Sequence, residues 1–178
     1  MKIDVIRRYL ELPREAALIP ARTPAAAVQL TPLIECDVPT WRQLYHLVGF
    51  PWHWHDRDAW SDDQLAAHLA RPSVRLYTVQ DATDRATPSP APATGFVELE
   101  RGADDAVEIV YLGLAPQAVG RGLGGWLVTA AASAAFAWGA NRVWLHTCTL
   151  DHPAALPNYL KRGFVLQRTE QYQTTLTH

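Results

Sequence analysis

Apolar positions in the second half of the chain alternate between strand and helix periodicity. The segment Ala106–Leu114 (AVEIVYLGL) is rich in β-branched and aromatic residues and precedes a loop signal, Ala-Pro-Gln, so it predicts a strand. Residues 122–138 predict a long helix that Gly139 can end in a left-handed conformation. The apolar face of that helix consists of Leu123, Trp126, Leu127, Ala130, Ala131 and Ala134. A strand at 142–150, a short helix at 153–162 interrupted by Pro157, and a strand at 164–172 are predicted to follow.

The first half predicts strands and helices in a different order. Gly49 is placed to stop a helix of apolar residues at helical spacing, and Ser61 with two acidic residues behind it predicts the start of another. Prolines and small polar residues over 81–94 predict a surface loop between two antiparallel strands. The predicted elements are a strand at 28–34, helices at 39–48 and 61–69, and strands at 74–79 and 96–99. This order predicts an α/β (α+β) fold, a mixed sheet with helices on both faces.

Length and composition predict one domain. The chain has 178 residues, of which 48% are hydrophobic and 19% charged, enough for a single core. We expect the domain to cover 28–178, with 1–27 as an N-terminal extension of uncertain structure that holds a short strand-like piece and a turn of helix after Pro13. Cys36 and Cys148 are too few for a disulfide framework, so packed thiols are expected.

Charge and hydropathy favour a protein that binds neither nucleic acid nor membrane. The formal net charge is −2, which lacks the cationic field that a nucleic-acid backbone would need. No run of 18 apolar residues occurs, and charges interrupt the start, MKIDVIRRYLEL, where a signal peptide would be continuously apolar. We therefore expect a cytoplasmic protein, as a monomer or homodimer.

The most informative segment joins a predicted strand to the long helix through glycines. Residues 116–127 read PQAVGRGLGGWL, and such a turn can direct several N–H groups at an anion beside the helix N-terminus, or can simply permit tight packing. Gly120, Gly122 and Gly125 satisfy GxGxxG, but only 53 residues follow, and the first acidic residue after them is Asp151. A dinucleotide domain is therefore disfavoured, and no Gly-Lys-Ser/Thr for a nucleotide P-loop is present.

Two motifs in these segments resemble the GCN5-related N-acetyltransferases. LGLAPQAVGRGLGGWLV is similar to their strand, turn and helix motif, and PAALPNYLKRGF is similar to their helix motif, with Tyr159, Gly163 and Phe164 at the usual spacing. The resemblance covers 106–164, with Val119 where the family has Arg or Gln and His152 where Asn is common. It implies a mostly antiparallel sheet with a splayed pair of parallel strands.

The resemblance also implies acetyl-CoA as co-substrate, bound within 106–164, and assigns roles to residues. Glu108 matches the position of the general base, although a solvated or arginine-paired glutamate is an equal alternative, and Tyr159 matches the general acid. Glu98 and Glu100, which share one strand face, are reserve candidates for the base. The expected cofactor contacts are Leu112, Leu114, Val119, Gly120, Arg121, Gly122, Leu123, Gly124 and Asn158.

The acceptor pocket is expected beside residues 49–61, GFPWHWHDRDAWS, which concentrate aromatic and charged groups in a loop. The residues expected to contact the acceptor are Trp52, Trp54, Trp60 and Glu98, the alternative for each tryptophan being a place at the edge of the core. Aromatic walls of this kind can stack on a ring or hold a cation.

Histidine clusters suggest a weaker alternative, a zinc site. One cluster contains His53, His55 and Asp56, and the other contains His146, Cys148, Asp151 and His152. Neither has the constrained spacing of HExxH or CxxC, and a metal hydrolase leaves the glycine turn unexplained, so we expect no metal. A Cys148 nucleophile paired with His146 or His152 is similarly unsupported.

Together with the glycine turn, the family resemblance implies an N-acetyltransferase that moves the acetyl group of acetyl-CoA directly to a primary amine of a small molecule in a ternary complex. A non-catalytic acyl-CoA-binding module of the same fold is one alternative. Acetylation of a protein N-terminus or lysine is another.

Overall fold

The computed structural model describes residues 2–25, 27–81 and 93–175. Most of the loop predicted over 81–94 lies outside these residues. The strands are β1 (Lys2–Leu12), β2 (Val28–Pro32), β3 (Val74–Asp81), β4 (Gly95–Arg101), β5 (Ala106–Leu114), β6 (Arg142–Cys148) and β7 (Val165–Thr175). The helices are α1 (Val38–Gly49), α2 (Asp62–Leu69), α3 (Gly124–Ala137) and α4 (Ala155–Lys161).

The described strands form one sheet of seven in the order β2-β3-β4-β5-β6-β1-β7. Neighbouring strands are antiparallel except β5 and β6, which are parallel. Helices α3 and α4 pack on one face, and α1 and α2 pack on the other. The predicted mixed sheet with helices on both faces is therefore confirmed.

Strand β1 corrects the expectation that residues 1–27 extend from a domain that begins at residue 28. It lies between β6 and β7, pairing with both over most of its length. Its Leu10 and Leu12 are 1% and 0% exposed in the core. The first strand is thus an internal part of the sheet, while the expected turn of helix after Pro13 is the short 3-10 turn Glu15–Ala17.

Local sequence signals explain where the helices begin and end. The Ser61 side chain accepts a hydrogen bond from the Gln64 N–H, and the Gln64 side chain accepts one from the Ser61 N–H, so α2 begins with a capping box. Asp37 caps α1 in a similar way through the Thr40 N–H. Gly139 adopts φ +95° just after α3, which is the left-handed conformation that ends helices.

Strands β5 and β6 pair over only three positions before they separate. The pairs are Ala106 with Arg142, Val107 with Val143 and Glu108 with Trp144. A bulge in β5 follows, because Ile109 pairs with Leu99 while Tyr111 pairs with Glu98, which leaves Val110 as an extra residue. The sheet therefore opens into a wedge between the two parallel strands. No helix in the described part of the chain is both long and apolar enough to cross a membrane.

Candidate active site

A cavity of about 710 Å³ fills the wedge between β5 and β6. It is lined by the second half of β5, the glycine turn, α4 and residues 52–56. The part of β6 that follows its last pair with β5 completes the lining. Its volume lies within the range of sites that enclose small ligands and cofactors. The segments that carried the sequence resemblance therefore meet around one space.

The glycine turn forms one wall of this cavity. Gly120 and Gly122 have φ of +83° and +75°, and a Cβ added at either would meet no atom within 4 Å. Among the described residues, no protein acceptor takes the backbone N–H groups of Gly120, Gly122 and Leu123. Three donors thus stand free beside the N-terminus of α3, where the helix dipole favours an anion.

Eight of the nine predicted cofactor contacts line the cavity. Arg121 is the exception among the described residues. Asn158 reaches across from α4 to the start of α3, with its Nδ2 3.6 Å from the position of a Cβ on Gly124. Leu112 and Leu114 of β5 are the apolar residues among these eight that come from the strand.

Tyr159 points from α4 into the cavity, although it is only 8% exposed. Phe164 packs edge-on against its ring at a centroid distance of 6.1 Å. Burial, and then the charge of Asp151, raise the pKa of Tyr159 well above the ordinary phenol value. The hydroxyl therefore keeps its proton at neutral pH and is present as a hydrogen-bond donor.

Glu108 lies at the last paired position of β5 and β6, and its partner on the neighbouring strand β4 is Glu100. Burial, and then the charge of Glu100, raise its pKa from 4.5 to about 7. Of the cavities in the described part of the chain, neither the 710 Å³ space nor the smaller one beside it has Glu108 in its wall. The predicted base thus has a suitable pKa but no direct access to the cavity.

Glu98 is placed differently from the sequence expectation. Its carboxylate is 0% exposed, and it accepts hydrogen bonds from Trp41 Nε1 at 2.8 Å, Arg57 Nη1 at 2.7 Å and His68 Nε2 at 3.0 Å. Burial alone would raise its pKa, but the hydrogen bond from His68 and the charge of Arg57 lower it below the ordinary value. Because both oxygens are occupied inside the core, Glu98 anchors the loop of Arg57 instead of facing an acceptor.

The three predicted acceptor tryptophans occupy two places. Trp52 and Trp54 line the large cavity, and Trp54 also packs over Gly49 and Gly113, where a Cβ would clash with its ring or with Val48. Trp60 lines a smaller cavity of about 230 Å³ and lies under the Arg57 guanidinium at 4.7 Å. The structure thus brings two of them to the wedge and the third to the adjoining space.

The sequence analysis missed Arg7 and gave His146 only a metal or nucleophile-activating role. Both residues line both cavities, Arg7 from β1 and His146 from β6. Arg7 donates to the Tyr172 hydroxyl at 3.2 Å across to β7. No local motif marks either residue, because they become neighbours only when β1 inserts beside β6. The one sequence signal is the alternation along β6, which places His146 and Cys148 on the same face of the strand.

The second histidine cluster has other bonding roles. Oδ2 of Asp151 accepts from Thr147 Oγ1 at 2.6 Å and from the Cys148 N–H at 2.9 Å. Burial raises the pKa of the Cys148 thiol, which disfavours the thiolate that nucleophilic attack requires. Within the described residues, no three His, Cys, Asp or Glu side chains are arranged to hold a metal ion.

Comparison with solved structures supports the same fold. A GCN5-related N-acetyltransferase from Sphaerobacter thermophilus has a TM-score of 0.70 at 10% identity, over 98% of this chain and 52% of that protein. The chain thus spans about half the length of that relative. Spermidine N-acetyltransferase from Vibrio cholerae, in complex with CoA and spermine, has a TM-score of 0.58 at 24% identity over 78% of this chain and 81% of its own.

An aminoglycoside acetyltransferase from an uncultured soil metagenomic sample has a TM-score of 0.58 at 16% identity, over 76% of this chain and 87% of its own. No match is found among curated proteins compared by sequence. The model of the acetyltransferase (GNAT) family matches residues 41–164, which contain most of α1, the glycine turn and α4. This match covers more than half of the sequence, and the chain therefore belongs to the acetyltransferase (GNAT) family.

Proposed function

We propose that this protein transfers the acetyl group of acetyl-CoA directly to a primary amine of a small molecule, with both substrates bound together. The observation that carries the proposal is the wedge itself. A 710 Å³ cavity runs from free backbone donors at the glycine turn, past the buried hydroxyl of Tyr159, to the bulge in β5. It can hold a long ligand with an anionic end and a reactive end.

The diphosphate of acetyl-CoA would bind at the glycine turn. The N–H groups of Gly120, Gly122 and Leu123 supply hydrogen bonds, and the absence of side chains at the glycines leaves room for close approach. Leu112 and Leu114 would pack along the pantetheine arm, and Asn158 can bond one of its amides. This arrangement fits acetyl-CoA better than a free nucleotide because the cavity continues well beyond the turn.

The transfer step needs a proton donor near the sulfur, a hydrogen-bond donor near the carbonyl oxygen and a base near the amine. Tyr159 is the proposed proton donor to the departing thiolate. The bulge at Val110 leaves backbone N–H groups outside the regular ladder, suited to the oxygen. The base predicted from the sequence, Glu108, has a pKa of about 7 but lines neither described cavity, so it could reach the amine only through a water molecule.

The acceptor would approach from the side of Trp52, Trp54 and Asp56. These aromatic faces and the carboxylate suit an amine that carries further positive charge. The spermidine and aminoglycoside acetyltransferases that share the fold act on amines of that kind by their names. A polyamine or amino sugar is thus the proposed substrate class, with a peptide amine and a non-catalytic binding module as the other outcomes.

A melting curve with acetyl-CoA tests the donor half of this proposal. At 100 times the dissociation constant, the ligand should add about 2.7 kcal/mol of stability, which raises the melting temperature by roughly 5–11 °C. ATP and NADH at equal concentration serve as controls. No shift with acetyl-CoA, or an equal shift with all three, would overturn the proposal.

The acceptor half is tested by release of free thiol with spermidine, kanamycin, lysine and a peptide with a free N-terminus. Turnover with the first two alone supports a small-molecule transferase, and turnover with the peptide alone assigns a protein acceptor. A melting shift without turnover of any amine identifies the non-catalytic module. Tyr159→Phe should slow thiol release while leaving the melting shift in place.

A further inference from the structure

We propose that His146 takes the proton directly from the attacking amine, at the junction between the acetyl donor and its acceptor. This inference rests on the proposed acetyl transfer and assigns a further residue to it. It makes the proton acceptor a histidine of β6 and not the carboxylate of Glu108 on β5.

The first observation is that two cavities meet at His146. The glycine turn lines the 710 Å³ cavity, and Arg57 and Trp60 line the 230 Å³ cavity beside it. The residues that line both are Arg7, Asp56, Val110, Tyr111 and His146. Asp56, on the side proposed for the acceptor, is one of them, so the acetyl donor and the amine would react where these residues meet.

The second observation is the register of the parallel strands. Their last pair is Glu108 with Trp144, and the strands then part. Two residues further along each strand come Val110, which is the bulge, and His146. His146 therefore flanks the mouth of the wedge, opposite the bulge that is proposed to hold the carbonyl oxygen.

The third observation is which of the five shared side chains can accept a proton. Of the five shared residues, Val110 has no titratable group and Arg7 stays protonated. Burial raises the pKa of the Tyr111 hydroxyl far above neutrality, so it cannot serve as a base. Asp56 lies exposed on a loop, whereas His146 is held on a strand with the ring of Tyr9 edge-on against it at 5.8 Å. The imidazole is the best-oriented proton acceptor at this junction.

The surroundings keep that imidazole unprotonated. Burial, and then the positive charge of Arg7, lower the pKa of His146, while the carboxylates of Asp151 and Asp56 oppose this effect. The phenol ring of Tyr9 on β1 also packs against the imidazole. At pH 7 a ring nitrogen is therefore free to accept a proton.

The amine nitrogen bonds to the acetyl carbon, and its N–H becomes acidic as positive charge develops there; His146 takes this proton. The carbon–sulfur bond then breaks, and the CoA thiolate takes a proton from the Tyr159 hydroxyl. Solvent returns the proton from His146 to Tyr159, so the net reaction yields the amide and free CoA.

The test compares His146→Gln with His46→Gln, using spermidine and kanamycin as acceptors and thiol release as the readout. His46 is an exposed histidine on α1 that lines neither cavity. We expect His146→Gln to lower kcat/KM by about 10²–10⁴-fold. Its acetyl-CoA melting shift should remain, and His46→Gln should match the wild type in both measurements.

The pH profile separates a base from a structural residue. Wild-type kcat/KM should fall on acidification through a limb below the ordinary histidine pKa, and His146→Gln should lack that limb. Arg7→Gln should move the limb to higher pH, because the charge that disfavours protonation of His146 is gone. A structural role for His146 would leave the limb in place.

Three results would overturn the assignment. One is wild-type activity in His146→Gln; another is loss of its acetyl-CoA melting shift, which would indicate damage to the donor site. The third is a limb that disappears in Glu108→Gln and persists in His146→Gln, which returns the role to Glu108. If the wild type itself acetylates neither amine nor peptide, the proposed function falls first and this inference with it.

Discussion

Two glutamates on adjacent strands have opposite electrostatic environments. Glu98 sits among Trp41, Arg57 and His68, which lower its pKa despite complete burial. Glu108 lies on the same side of the sheet but faces Glu100, and no residue in the described ranges donates a hydrogen bond to it. Its pKa rises to about 7. One carboxylate therefore stabilises the fold as an anion, and the other changes charge near neutral pH.

This difference predicts a pH-dependent effect of Glu108→Gln on stability. In the unfolded chain Glu108 ionises at about pH 4.5, whereas in the folded protein it holds its proton up to about pH 7, so the wild type loses stability as pH rises through this window. At pH 8 the free energy of unfolding of the variant should exceed that of the wild type by about 1–2 kcal/mol, because solvent screens part of the effect of burial. At pH 4 the two should be nearly equal by urea denaturation.

Glu15→Gln is the control, because Glu15 is an exposed carboxylate outside the sheet. It should show no gain between pH 4 and pH 8. An equal gain in both variants would instead point to relief of general charge repulsion.

At the scale of elements, the turn between β5 and α3 needs glycine for two reasons: its backbone adopts positive φ, and it forms the proposed binding surface for acetyl-CoA. Gly122 needs its positive φ, and a side chain there would protrude into open space. Gly139 has a similar φ, of +95°, but ends α3 away from the cavity. The same substitution at the two sites therefore separates backbone strain from loss of the binding surface.

Gly122→Ala and Gly139→Ala should each lower the free energy of unfolding by about 1–2 kcal/mol, because alanine resists the left-handed conformation. Only Gly122→Ala should also weaken acetyl-CoA binding, by more than about tenfold, since its Cβ and altered backbone disturb the donors. Calorimetric titration and urea denaturation measure the two effects. Equal affinity in both variants would remove the turn from the binding site.

At the scale of the whole molecule, β1 joins the two ends of the chain. It pairs with β6 on one side and β7 on the other, and its Leu10 and Leu12 enter the core under α3. It also supplies Arg7 to both cavities. The strand thus contributes to stability and to the site at once.

Leu10→Ala should lower the free energy of unfolding by about 2–5 kcal/mol, as expected for a buried leucine that leaves a cavity. Ile34→Ala, at a side chain that is 81% exposed, should change it by no more than about 0.5 kcal/mol. Denaturant midpoints for both variants provide the measurement. A small effect of Leu10→Ala would mean that β1 can detach without disturbing the core.

Sequence reasoning succeeded where signals are local. The bounds of β5 were predicted residue for residue, and the start of α2 followed from Ser61 and the polar residues behind it. It did not predict the place of β1 inside the sheet, because that place depends on partners more than 130 residues away. It also could not decide whether Glu98 faces solvent, because that depends on where Arg57 and His68 arrive.

The amino-acid sequence by itself determined the succession of elements, the glycine turn and the family resemblance, because periodicity, caps and turn glycines act over a few neighbouring residues. Tertiary structure alone decided which side chains share the wedge. Arg7, Asp56 and His146 come from distant segments, and their charges affect one another only once the sheet has brought them together. Burial and proximity set the pKa values on which the chemistry depends, and both are properties of the folded chain.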